Sequence, residues 1–131
     1  RMKERHLFKA KCKDNGEWVK GGLCESSWGS CFIITNDQNI VPDTIKVDPD
    51  TVCQCTGISD HDGNLIYEND LVASEDETCV IKWDEESARY LMVLIDDGLE
   101  GACNSFWGKI VKVVGNVFDN PELLEVDHDG E

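Results

Sequence analysis

The sequence predicts an all-β, mainly β-strand chain, and three observations carry that reading. Apolar residues gather in short runs rich in β-branched and aromatic side chains, as at residues 31–35, 78–83 and 110–114. Clusters of Asp, Asn and Gly separate these runs, at the roughly eight-to-twelve-residue intervals of a small sandwich or barrel. Hydrophobic residues make up 40% of the 131, enough for a core despite a net charge of -15, so acidity alone does not signal disorder.

The elements follow in chain order. Residues 6–12 alternate after their start, which places Phe8, Ala10 and Cys12 on one face of a strand. Asp14-Asn15-Gly16 tolerates left-handed backbone and turns the chain, and residues 17–20 return as the second arm of a hairpin. Gly21-Gly22 allows a bend or bulge before Leu23-Cys24. Residues 31–35 form a buried strand stopped by Asn36-Asp37-Gln38-Asn39, and residues 43–47 form another that ends at Asp48-Pro49-Asp50. Pro49 has no N–H to give to a sheet.

A second half begins with the strand at 51–57, followed by a strong turn at 60–64 and a short strand at 65–67. Residues 71–73 and 78–83 are two strands around the acidic loop 74–77. Residues 89–95 are a continuous apolar run compatible with strand or short helix, and length and β-branching favour strand. Asp96-Asp97-Gly98 closes it, residues 110–114 are the last strong strand, and Pro121 opens a helical turn over 121–125. This organisation divides the chain into residues 1–50, residues 51–126 and a frayed acidic tail at 127–131.

The charge is unevenly distributed. Residues 1–20 carry seven bases and three acids, a net +4, whereas residues 21–131 carry five bases and 24 acids, a net -19. Such an acidic body repels phosphate backbones, so nucleic acid is not an expected partner. No apolar run approaches the roughly 18 residues of a membrane span, and no apolar segment of signal-peptide type follows the charged start. The seven cysteines, an odd number without an export signal, suit a reducing cytosol better than a disulfide framework. Their spacing lacks the paired ligands of structural zinc sites: Cys53 and Cys55 are too close, and His6, His61 and His128 form no second pair. On a strand Cys53 and Cys55 share a face and act as small buried hydrophobes.

Three segments carry a family resemblance. They are Asp14-Asn15-Gly16-Glu17-Trp18-Val19; the stretch from Asp48 to Val72, with Gln54-Cys55-Thr56-Gly57-Ile58 and Asp62-Gly63-Asn64-Leu65-Ile66-Tyr67-Glu68-Asn69-Asp70-Leu71-Val72; and Val114-Gly115-Asn116-Val117-Phe118-Asp119-Asn120-Pro121-Glu122-Leu123-Leu124. In this order they resemble the YopX-like proteins of bacteriophages and prophages. The chain departs from the family's usual pattern at Cys55, where an aromatic residue is common, at Lys20-Gly21, where Tyr-Gly is common, and at Asn69, where Gly precedes the Asp. Asn tolerates positive φ, so that turn survives. The resemblance implies a small SH3-like barrel in the C-terminal half, a β-rich N-terminal subdomain and assembly in at least some members. It implies no reaction and no catalytic residues.

The residues themselves point to little chemistry. Asp60, Asp62, Asn64, Glu68 and Asp70 are the densest polar cluster, but an EF-hand starting at Asp60 needs glycine where Leu65 stands. A solvated turn is the favoured reading, with a weak cation site as its alternative. Asp84-Glu85-Glu86 and Asp96-Asp97 supply paired carboxylates that nothing places across a cleft. Phosphate-loop and dinucleotide fingerprints are missing, so no cofactor and no metal is expected. Of four tryptophans, Trp18 and Trp83 are assigned to the core, while Trp28 and Trp107 lie in loop-like contexts and are the candidate interface residues.

The leading expectation is therefore a non-enzymatic, cytoplasmic phage or prophage accessory protein that binds protein, as a homo-oligomer or with a host or phage partner. Its first competitor is an acidic DNA mimic that occupies a basic host protein. Ranked below that is a metal-dependent hydrolase built on the clustered carboxylates.

Overall fold

A computed structural model of the chain describes residues 4–35 and 43–125. The turn expected at 36–39, the tail at 127–131 and the first three residues of the basic arm lie outside the described residues. The strands are β1 (Phe8–Lys11), β2 (Trp18–Glu25), β3 (Cys31–Thr35), β4 (Asp43–Val47), β5 (Cys53–Ser59), β6 (Leu65–Tyr67), β7 (Asp70–Ala73), β8 (Thr78–Asp84), β9 (Arg89–Leu94), β10 (Glu100–Ala102) and β11 (Lys112–Asn116). One short helix, α1 (Ser105–Gly108), and three 3-10 turns complete the described residues. The fold is mainly β, in two antiparallel sheets of order β4-β3-β2-β1-β5-β6 and β10-β9-β8-β7-β11, neither closed on itself. Contacts divide the chain into two compact units, Arg1–Gly57 and Ile58–Glu131.

The first unit is built on the expected hairpin. Gly16 takes φ 73°, Asn15 Oδ1 accepts from the Glu17 N–H at 2.9 Å, and β1 pairs antiparallel with β2. The bend expected at Gly21-Gly22 is a change of partner inside one unbroken strand. Residues 18–21 of β2 pair with β1 and residues 22–25 pair with β3. Glycine is needed there because the Ile34 carbonyl lies where a Cβ on Gly21 would sit. β4 pairs with β3 along its whole length, and Val47 then bridges to Cys12, with the Asp48 N–H donating to the Lys11 carbonyl at 2.9 Å. Ala10, Cys31, Ile33 and Val47 form the core, flanked by Phe8, Val19, Leu23, Ile45 and Val52. Cys53 and Cys55 are both buried, as their shared strand face requires.

The second unit centres on the meander β7-β8-β9. Its core is Ile66, Val72, Ile81, Met92 and Val111, with Ile58, Cys79, Tyr90, Cys103 and Val113 packed against it. The ambiguous run at 89–95 is strand β9, paired along β8 from Arg89 to Leu94. Two elements are absent from the sequence reading, β10 and α1. Glu, Gly and Ala have low strand propensity, so Glu100–Ala102 carries no local signal, and its strand state comes from pairing with β9. The strand expected at 110–114 begins two residues later, as β11.

Two tryptophans assigned to the core are not in it. Trp83 lies at the end of β8, partly exposed, edge-on to Tyr90 with ring centroids 4.9 Å apart. Trp18 is only partly buried, beneath the ammonium groups of Lys9 and Lys11 at 4.8 and 5.5 Å from its ring centroid. Both rings cover neighbouring side chains at the surface, a role their amphipathic character suits.

Candidate functional site

The most distinctive surface lies in the second unit and is organised by α1. Asn104 caps this turn: its Oδ1 accepts from the Trp107 N–H at 3.0 Å, while its own backbone is extended at φ -137°. Gly108 at the other end is buried, and a Cβ there would stand 2.6 Å from the Ser59 carbonyl oxygen and 2.7 Å from Ile58 Cγ2. The helical turn is thus pressed onto the end of β5, and the two residues before Gly108 are held outward. Phe106 is 65% exposed and Trp107 47%, with ring centroids 5.1 Å apart at near-perpendicular planes.

Beside this pair runs a groove of about 220 Å³. Met92 and Val111 line it from the core, and Leu99, Trp107 and Ile110 line it from the surface. Leu99 is 64% exposed and Ile110 46%. Two carboxylates, Glu77 from the β7–β8 loop and Glu100 from β10, share the lining. The sequence reading picks out Trp107 but misses Leu99, Phe106 and Ile110. The available signal was Asn104 as a helix cap, which makes Ser105-Phe106-Trp107-Gly108 one turn with a common outer face.

Trp28, the other sequence-chosen residue, belongs to the first unit. It sits in the β2–β3 turn, where Ser26 Oγ accepts from the Trp28 N–H at 3.3 Å and the Ser30 N–H at 3.1 Å, and Gly29 takes φ 85°. The ring is 91% exposed. Trp28 therefore belongs to the first unit and Trp107 to the second.

The acidic cluster has an architectural use. Asp60 is buried, and its two oxygens accept from three backbone N–H groups: Asp62 at 2.9 Å, Asn64 at 2.8 Å and Val113 at 2.9 Å. Burial alone raises its pKa, but these bonds favour the carboxylate more strongly and hold it below the ordinary range. Asp70 is buried too and accepts from the Tyr67 N–H at 2.8 Å. Asp62 stays at the surface, 3.1 Å from His61 Nδ1 and 3.9 Å from Lys112 Nζ. Among the described residues no group of three or more His, Cys, Asp or Glu side chains is placed to hold a metal ion. Asp84 lies at the exposed β8–β9 turn, where the Ser87 hydroxyl donates to it and lowers its pKa.

Three of the thiols, Cys31, Cys79 and Cys103, are held toward the protonated form. Burial pushes Cys103 up to about 11, and it raises Cys31 and Cys79 as well, with Glu25 and Glu77 adding like-signed repulsion of the thiolate. None of the seven cysteines is joined in a disulfide. No helix among the described residues is long and apolar enough to cross a membrane.

Compared with known proteins, the chain matches a family model described as YopX protein over residues 7–125. No curated protein matches it.

Proposed function

The chain belongs to the YopX protein family, and from that membership we propose that it is a non-enzymatic protein-binding module, a phage or prophage accessory protein that acts by docking onto itself or onto another protein. One observation carries this reading: the continuous apolar surface of Leu99, Phe106, Trp107 and Ile110, all at least 46% exposed. Soluble monomers rarely leave such contiguous apolar area facing water unless a partner covers it. Aromatic side chains are the preferred anchors of such contacts, since one ring buries much area for little lost freedom. Trp28 is a second anchor of the same kind on the first unit.

An SH3-like architecture for the second unit belongs to the same proposal. What supports it is the strand order β11-β7-β8-β9-β10, in which the last strand flanks the first, together with the single helical turn α1 immediately before that last strand. Folds of this type serve as scaffolds for many unrelated sites, so the surface and not the topology defines the function.

Oxidative footprinting of the intact protein tests the proposal. Phe106 and Trp107 oxidise several-fold more slowly in concentrated solution or in bacterial lysate than in dilute buffer if protein covers them. Equal rates in all three conditions would refute it.

A further inference from the structure

The groove beside Trp107 opens along β10, and β10 is an edge strand. The Leu94 N–H donates to the Leu99 carbonyl and the Cys103 N–H to the Tyr90 carbonyl. With Gly101 opposite Met92 in the register, the backbone groups of residues 99, 101 and 103 face β9. Antiparallel alternation then turns the N–H and C=O of Glu100 and Ala102 away from β9, toward the open side. The sheet's other edge is defended: β11 carries Lys112 and an irregularity between Val113 and Gly115, both of which discourage strand addition. β10 is short, three residues, but its register with β9 is regular and its one charge is the acidic Glu100, which repels an acidic strand and attracts a basic one.

Charge narrows the choice of partner. Glu77 and Glu100 are the charged residues of the groove lining. The segments 74–81 and 95–102 that supply them add Glu75, Asp76, Asp96 and Asp97 and no Lys or Arg, against the one cation Lys109 in the lining segment 107–111. The Ile95 N–H donates to the Thr78 carbonyl at 3.1 Å, which brings the two segments together at the same end of the sheet. Open space over Gly101 completes the site, since a Cβ there would meet nothing within 4 Å.

We propose that β10 and the adjoining groove receive an extended segment of another protein in which lysine or arginine alternates with aliphatic residues. This deepens the protein-binding reading above and rests on it. The segment adds as a strand to the Glu100–Ala102 edge, its aliphatic side chains enter the groove against Leu99, Trp107 and Ile110, and its cations face Glu77 and Glu100.

The test uses a synthetic decapeptide alternating lysine with valine, titrated into the full chain and followed by backbone amide signals and tryptophan emission. Shifts should concentrate on residues 99–103 and 107. Affinity should fall about tenfold or more at roughly 0.5 M salt, and a peptide with glutamate in place of lysine should not bind. Two variants keep the fold and remove the site: Gly101→Trp fills the open space, and the double change Glu77→Gln with Glu100→Gln removes the facing charge. Each should weaken binding at least about tenfold, with thermal unfolding unchanged as the control. The inference is overturned by binding that survives Gly101→Trp, by equal binding of the glutamate peptide, by shifts centred on β11, or by a second copy of the chain occupying β10 in the free protein. Absence of peptide binding alongside continued footprint protection of Trp107 sinks this inference alone. Loss of both sinks the protein-binding reading as well.

Discussion

Asp60 holds three backbone N–H groups from two parts of the second unit, and no change of sequence does this job equally well. An asparagine keeps one acceptor but presents an N–H₂ where the second oxygen stood. Asp60→Asn should therefore lose about 1–3 kcal/mol, and Asp60→Ala at least as much, measured by urea unfolding at neutral pH. The sign of the pH effect follows from the lowered folded pKa. Its contribution is complete above the ordinary Asp value of about 3.9 and disappears as pH falls through the lower folded value. Asp60→Asn should accordingly flatten the acid limb of the stability profile. Among the described residues, Asn69 at 70° and Ala88 at 54° hold positive φ without being glycine. Asn69 confirms the turn read from the sequence, and Asn69→Ala should cost about 1–2 kcal/mol while Asn69→Gly stays near neutral. Ala88 is the opposite case: Ala88→Gly should stabilise by up to about 1 kcal/mol. Thermal unfolding of the three variants checks all of these signs.

Among elements, those with a strong local pattern were legible. The hairpin around Asp14-Asn15-Gly16 and the strands at Cys31–Thr35 and Asp43–Val47 follow from alternation and turn chemistry, and the structure places them there. β10 was illegible because Glu, Gly and Ala say nothing about strand until β9 pairs with them. α1 was barely legible because a four-residue helix is too short to show periodicity, which leaves the Asn104 cap as its one local signal. Its position depends on Gly108, whose contacts with Ser59 and Ile58 lie in a sequence-distant strand. Gly108→Ala should lift the turn away from β5 at a cost of about 1–3 kcal/mol and increase the solvent quenching of Trp107. A fluorescence quenching titration checks the second effect. Unchanged quenching would mean that Gly108 packs the core without positioning the tryptophan.

At the scale of the whole chain, the net charge of -15 is the sum of parts with different uses. Asp60 and Asp70 are buried and support the backbone, so they belong to the fold. The acids of the two loops framing the groove remain at the surface beside exposed apolar residues. Sequence separated these two groups poorly, because a carboxylate that caps a turn and one that faces a partner have the same local context. The candidate surface was half legible for a related reason. Trp107 stands out in composition, whereas Leu99 and Ile110 join it only through folding.

Photo-cross-linking tests protein docking at this surface most directly. A benzophenone amino acid replacing Phe106, introduced in a bacterial cell, should yield adducts heavier than the 14.7 kDa chain. The same group replacing the exposed Lys82 should give far less. Only uncross-linked chain from both positions, or equal adducts from both, would contradict docking at this surface.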